Sequence, residues 1–455
     1  MSGSGVVVPG AGEPVLADAT SRASEAAGGP DETRPWPTDW PDGRRLGGLR
    51  YGALGLPLAF VALPLYVILP QHYAQAFGVP LAALGLVLLG ARLLDAFADP
   101  LIGRWADGWL GAGHRRATGV AALAALLLAV GFHFLFFPRV EGTAALLAWC
   151  VALLAVTYLS FSVVTVVHQA WGARLGGSAP QRARVVAWRE GLALVGVLVA
   201  SVLPSVAGLA VTSAVFAGLL AVGVLLLALA PRPAADVQAA PAVPMLLPFR
   251  TPAFRKLLAI YLLNGIASAI PATLVLFFID DRLQASGQQP LFLAAYFAAG
   301  AASIPLWVRA VRRFGLPRAW LAGMLLAIAV FVWASVLGTG DVVAYAVVCV
   351  LSGVALGADL TIPGAMVAGV IQRAGHGRQA EGAYFGWWNF ATKLNLALAA
   401  GLALPALQFF GYSPGSRDES ALLALTLAYC ALPCLLKAVA VGLLYVLWIK
   451  PSEAS

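Results

Sequence analysis

Between Tyr51 and Lys450 the sequence is one apolar stretch after another, separated by short polar breaks. A run of ~20 apolar residues is what a helix needs to cross the hydrocarbon core of a bilayer, and only helices and closed barrels satisfy their backbone there. Twelve such stretches are counted, over about 51–74, 80–106, 117–137, 143–172, 185–207, 209–230, 255–279, 290–311, 318–338, 341–370, 382–410 and 421–448. The Ala- and Pro-rich segment 232–249 divides them six and six. Composition agrees: 60% of residues are hydrophobic and 11% charged, against about 25% charged in an ordinary soluble domain. The expected fold class is an all-α membrane protein with twelve transmembrane helices in two six-helix bundles. The predicted layout is a disordered cytoplasmic tail (1–49), an N-terminal bundle (50–231), a cytoplasmic linker (232–254) and a C-terminal bundle (255–450).

The net charge of +8 would suggest nucleic acid in a soluble chain. Here the cations fall in alternate loops. They include His114, Arg115 and Arg116, then Arg174, Arg182 and Arg184, then Arg250, Arg255 and Lys256, then Arg312, Arg313 and Arg318, and finally Arg373 and Arg378. In the intervening loops Arg282 and Arg417 are accompanied by Asp280, Asp281, Asp418 and Glu419. This is the positive-inside pattern; it places both termini in the cytoplasm of an inner (plasma) membrane and needs no nucleic-acid partner. Residues 1–49 have no charged segment followed by an apolar core and are not read as a signal peptide. Cys150, Cys349, Cys430 and Cys434 all lie in apolar runs without neighbouring His or acid, as buried small hydrophobes do.

The second run carries charge where lipid should be: Arg92, Asp95 and Asp99, at i, i+3 and i+7, share one helical face. A carboxylate at bilayer depth costs at least ~2.5–3.5 kcal/mol on insertion scales, so a pair of them demands partners. Two carboxylates one turn apart offer several oxygen ligands to a hard cation; alternatively they bind a proton, which burial and mutual repulsion both favour. A packing lock neutralised by Arg92 and a base on another helix is the plainer alternative. Further along, Gly103 permits close helix approach and Asp107 can pair with loop arginines to latch one conformation. Lys393, deep in run eleven, wants a carboxylate, and Asp95 and Asp99 are its candidates across the bundle. Asp359 is a further buried acid, and Arg189 beside Glu190 opens run five. His168 and Gln169 suit hydrogen bonding between helices, while Trp171, Trp387 and Trp388 are candidate stacking surfaces.

A weak repeat links the halves: aligning Pro100 with Pro305 pairs Leu101 with Leu306, Arg104 with Arg309, and Asp107 with Arg312. Repeats of this kind are typical of secondary transporters. No phosphate-binding loop is visible to drive an ATP pump, and no loop offers a nucleophile–base pair or metal cluster, so an enzyme is not expected.

Together these residues resemble the glycoside–pentoside–hexuronide:cation symporters of the major facilitator superfamily. The resemblance rests on Arg92-x-x-Asp95-x-x-x-Asp99-Pro100-x-x-Gly103 and on Glu381-x-x-Tyr384 leading to Lys393 and Gly411-Tyr412. It implies the major facilitator fold, a cation site at Asp95 and Asp99, a functional lysine at Lys393 and a sugar-pocket arginine at Arg189. The chain departs from the family where sugar-binding acids stand in spans one and four, since neither 51–59 nor 165–168 contains an acid. The family's Ala-Asp-x-x-Asp at the end of span ten reads Ala368-Gly369-Val370-Ile371-Gln372. The expected function is secondary active transport, coupling Na+ or H+ to uptake of a small solute, a sugar or glycoside. Asp95 and Asp99 would bind the cation, Arg189, Lys393 and Trp388 the solute, and Arg92, Asp107 and Asp359 would form a gate or charge network. A lysophospholipid or other amphiphile carrier and a non-transporting sensor are the alternatives. No cofactor is expected beyond the coupling cation; the expected partners are the solute, that cation and the lipid bilayer, in a bacterial inner membrane.

Overall fold

The structure, a computed structural model, describes residues 44–233, 243–412 and 415–453. Most of the predicted tail, residues 1–43, and residues 234–242 of the predicted linker lie outside that range. Among the described residues nine helices are long and apolar enough to cross a membrane. They are α3 (His114–Phe136), α4 (Thr143–Arg174), α5 (Ala179–Pro204), α6 (Val206–Ala228), α7 (Pro252–Arg282), α8 (Ser286–Phe314), α9 (Leu316–Ala334), α10 (Val342–Arg373) and α12 (Glu419–Ile449). Three more helical stretches complete the twelve: a broken α1 (55–77), α2 (Leu81–Gly111) and α11 (Glu381–Phe409). At 1.5 Å per residue the 31 residues of α2 extend about 46 Å, ample for a bilayer. The all-α fold is therefore the expected one. A helix at Arg44–Gly52 precedes α1, so the predicted bundle edge at residue 50 falls inside a helix.

The breaks between helices are written locally. Ser178 and Gln181 form a reciprocal capping box at the start of α5, the Ser178 N–H donating to Gln181 Oε1 at 2.7 Å. Pro204 and Gly208, the latter at φ +78°, end one helix and begin the next where α5 gives way to α6. Consecutive helices joined by such short turns run antiparallel. The cation-bearing loops α2–α3 and α4–α5 thus share one end of the first bundle, and α8–α9 and α10–α11 one end of the second. Arg182 meets Gln372 and Arg174 meets Glu381 where these ends adjoin, called the basic end below.

Helix α2 packs against α4 and α11, and α8 against α10 and α5. The α2–α11 contact is unusually close because neither side has a side chain in the way. A Cβ on Gly103 would strike the Gly382 carbonyl, and one on Gly386 would strike the carbonyl of Asp99. Gly386→Val is therefore expected to force these helices apart and to destabilise the protein by ~1–3 kcal/mol, as overpacking does, read as a lower melting temperature in detergent.

Candidate functional site

Asp95 and Asp99 face the bundle interior, 3% and 0% exposed, and the cation between them is Lys393 of α11. Its Nζ lies 2.6 Å from Asp95 Oδ2 and 2.8 Å from Asp99 Oδ2. The same ammonium donates at 3.0 Å to Ser162 Oγ of α4, and that hydroxyl donates at 2.6 Å to Asp95 Oδ1. Three helices thus converge on one ammonium with three oxygens around it. Asp99 is within ion-pairing distance, yet neither of its oxygens has the alignment for a hydrogen bond. A buried carboxylate so incompletely satisfied is costly, and such groups call for an explanation beyond packing. Arg92, although on the same helical face by spacing, is exposed, and the cation against the two carboxylates is Lys393.

The predicted solute-side residues stand on two helices, Arg189 on α5 and Trp388 with Lys393 on α11. Arg189 pairs with its neighbour Glu190, Nη2 to Oε1 at 2.6 Å, and both side chains are part-exposed. Trp388 is buried and stacks on Tyr261 of α7, ring centroids 3.8 Å apart, while the Tyr261 hydroxyl meets Thr392 Oγ1 at 2.8 Å. Trp171 is fully buried and donates to the Pro231 carbonyl, so it offers no stacking surface. Trp387 likewise donates to Met245 and lies edge-on to Phe249. His168 does bridge helices: its Nε2 is 2.8 Å from the Tyr51 carbonyl, and the Tyr51 hydroxyl donates back to the His168 carbonyl.

At the basic end the same two helices are sealed. Arg174, ending α4, donates through Nε to Glu381 Oε2 at 2.9 Å and reaches Asp107 Oδ1 at 3.4 Å, with all three side chains almost completely buried. Asp107 also accepts the backbone N–H groups of Gly382 and Ala383 at 2.6 and 2.8 Å. Nearby, Arg182 donates to Gln372 Oε1 at 2.7 Å, joining the start of α5 to the end of α10. Asp107 therefore meets an arginine, as its position suggested, and also caps the first turn of α11, where carboxylates are favoured.

His376, in the turn before α11, lies with Nδ1 2.8 Å from the Tyr384 hydroxyl, and burial holds its ring below the usual imidazole range. A histidine depressed in the folded state lends stability above its unfolded value of about 6.5 and loses it as pH falls through the folded value. The melting temperature is expected to drop from pH 7 to pH 5, by less in His376→Gln.

A model of the family described as MFS/sugar transport protein matches residues 46–450. The chain belongs to that family. Its members are transporters and not enzymes, and secondary transport is the activity the family carries. Among curated proteins no match is found. Solved structures of major facilitator transporters share the fold. A bacterial homologue of the iron transporter ferroportin, in an outward-facing state, aligns with TM-score 0.64 at 17% identity over 88% of this chain and all of that one. The human organic anion transporter MFSD10 gives 0.63 at 19%, covering 89% and 100% of the two chains. The E. coli fucose:proton symporter gives 0.61 at 14%, covering 87% and 97%. At these identities the likeness is one of fold.

In this transporter a further buried ion pair escaped the sequence reading. Asp359, for which a neighbouring arginine, an ion or the solute were the sequence's alternatives, is paired with Lys437 of α12, Nζ to Oδ2 at 3.0 Å. Asn264, Ser268 and Trp320 also donate to its carboxylate, and Lys437 donates to Asn264 Oδ1 at 2.6 Å. Lys437 stands alone among apolar residues in Leu432–Leu444, which marks an intramembrane charge in need of a partner. Ser162 gave no such signal, since a serine in a membrane helix is ordinary.

Proposed function

We propose that the protein is a symporter that couples Na+ or H+ movement to uptake of a small solute, a sugar or glycoside, across a bacterial inner membrane by alternating access. On this reading the basic end faces the cytoplasm, and the seal formed by Arg174, Asp107 and Glu381 holds the transporter open to the outside. The outward-facing state of the ferroportin homologue is consistent with that.

The observation that carries the reading is the position of Lys393. Its ammonium, in contact with Asp95, Asp99 and Ser162 at 2.6–3.0 Å, stands where a monovalent cation would be held. Two carboxylates and one ammonium leave the cluster one formal charge short of neutrality, which a Na+ or a proton supplies. When the cation binds at Asp99, Lys393 keeps Asp95 as its partner, no longer bridges the two carboxylates and turns toward the solute. Binding and rearrangement are thereby linked, because a ligand shifts a conformational equilibrium only by its differential affinity for the two states. Arg189 and Glu190 then serve hydroxyl or carboxylate groups of the solute, and Trp388 with Tyr261 supplies an aromatic wall. With no acid at 51–59, solute recognition falls to the Arg189–Glu190 pair.

The test is thermal stability of the purified protein against glycosides, uronic acids and lysolipids, each with and without Na+ at fixed pH. A ligand at about 100 times its Kd stabilises by ~2.7 kcal/mol. The expected result is a shift with one sugar class that Na+ or lower pH enlarges. A shift with lysolipids alone would move the protein to amphiphile transport, and cation-independent shifts would end the coupling assignment.

A further inference from the structure

The internal repeat aligns Pro100 of α2 with Pro305 of α8, so Arg309 and Arg312 occupy the register of Arg104 and Asp107. The two helices also have corresponding neighbours: α2 packs on α11, and α8 packs on α5. The two seams nevertheless differ in chemistry. Along α2–α11 glycines bring the backbones together and Asp107 bonds directly to the N–H groups of Gly382 and Ala383. Along α5–α8 an arginine replaces that aspartate, and the seam holds a groove of about 600 Å³.

Three guanidinium groups border the groove: Arg184 from α5, and Arg309 and Arg312 one turn apart on α8. Among the described residues no acid lines it. Its floor is apolar, with Leu192, Ile304 and Val308 the larger aliphatic side chains, and half-buried Trp188 stands beside the arginines. Arg309 and Arg312 lie in the last turns of α8 and Arg184 in the first turns of α5, at the headgroup depth where indole rings also settle. The volume falls within the ~300–1,000 Å³ of small-molecule sites. Guanidinium groups bind phosphate oxygens in pairs, and like charges gathered without a counter-charge favour an anion between them.

We propose that this groove binds the phosphodiester headgroup of an anionic phospholipid, with an acyl chain laid along the Ile304–Val308 floor. Basic pockets between membrane helices hold anionic headgroups in this way. An inorganic anion would use the arginines but not the apolar floor, and the phospholipid uses both. The groove has one wall from each side of the central linker, so a lipid seated in it touches both parts of the transporter.

The test is lipid retention measured by native mass spectrometry, after exchange of the full-length protein into mixed micelles containing equal phosphatidylglycerol and phosphatidylcholine. The wild type is expected to retain phosphatidylglycerol preferentially. That preference falls about fivefold for each arginine removed, the effect of one basic residue at an anionic surface, in Arg184→Gln and in the Arg309→Gln/Arg312→Gln double variant. Arg313→Gln, exposed and outside the groove, keeps the wild-type preference. Equal retention of the two lipids by the wild type overturns the proposal, as does an unchanged preference in both groove variants. A loss in Arg313→Gln as large as in Arg184→Gln would assign the effect to diffuse surface charge and overturn it equally. Inorganic phosphate that displaces the lipid at millimolar concentration would show an anion site without lipid selectivity.

Discussion

Asp99→Asn is expected to lower gradient-driven solute accumulation by ~10- to 150-fold, the fold-change for losing one charge-assisted contact of ~1.5–3 kcal/mol. The substitution keeps the shape of a side chain that is 0% exposed and leaves Lys393 its partner at Asp95, so the protein should still fold and reach the membrane. What it removes is the charge deficit that a cation would fill. Uptake measured in vesicles with an imposed Na+ or proton gradient, compared with solute exchange in the absence of any gradient, separates coupling from binding. Full accumulation by this variant would remove Asp99 from the coupling site. The reciprocal variant, Lys393→Met, leaves Asp95 and Asp99 buried against each other, and breaking a buried pair in this way costs ~3–5 kcal/mol. Its lost stability should be restored by Na+ if the site takes an alkali ion, and only by acid if it takes a proton.

Arg174→Ala should have the largest effect at the basic end. Arg174 is fully buried between Asp107 and Glu381, and without it two carboxylates share a dry site. The cost of ~3–5 kcal/mol falls on the sealed state alone, because opening exposes both acids to water. A gap of that size moves a two-state equilibrium by more than a hundredfold at 1.4 kcal/mol per tenfold. Cysteines placed on either side of the seal, or spin labels on α4 and α11, should report the basic end open in most molecules. Unchanged labelling would mean that the seal rests on the α2–α11 backbone contact and not on Arg174.

The helices were legible because hydrocarbon imposes a single rule on every span, and ~20 apolar residues satisfy it in any order. Asp95, Asp99 and Lys393 stood out for the same reason, since each breaks that rule and can be excused only by the others. The pairing of Asp359 was harder to read. Lys437 is as conspicuous as Lys393, but nothing in a linear sequence says that α10 and α12 bring it to Asp359 when arginines lie nearer in the chain. Gly103 was read as a point of close approach, but Ser162 and the glycines that Gly103 meets on α11, at 382 and 386, were less visible still. Their importance comes from what stands opposite, and Trp171 shows the converse, an aromatic whose predicted role vanishes once its surroundings close over it.

The paired glycines of α2 and α11 have a mechanical consequence. Asp99 and Asp107 are eight residues apart on α2, about 12 Å along its axis, and between them the two backbones touch with nothing compressible in the contact. The charge cluster and the seal therefore lie on one helix pair, joined by the backbone contacts at Gly103 and Gly386, with Pro100 interrupting the α2 hydrogen-bond ladder beside Asp99. No relay of side chains is needed to carry a message from one to the other. A tilt of α11 that parts Glu381 from Arg174 is expected to shift Lys393 against its carboxylates as well, because both residues ride on that helix. On the proposed symport, a tight contact here would keep ion movement tied to cargo, and a looser one would let ions slip across without it.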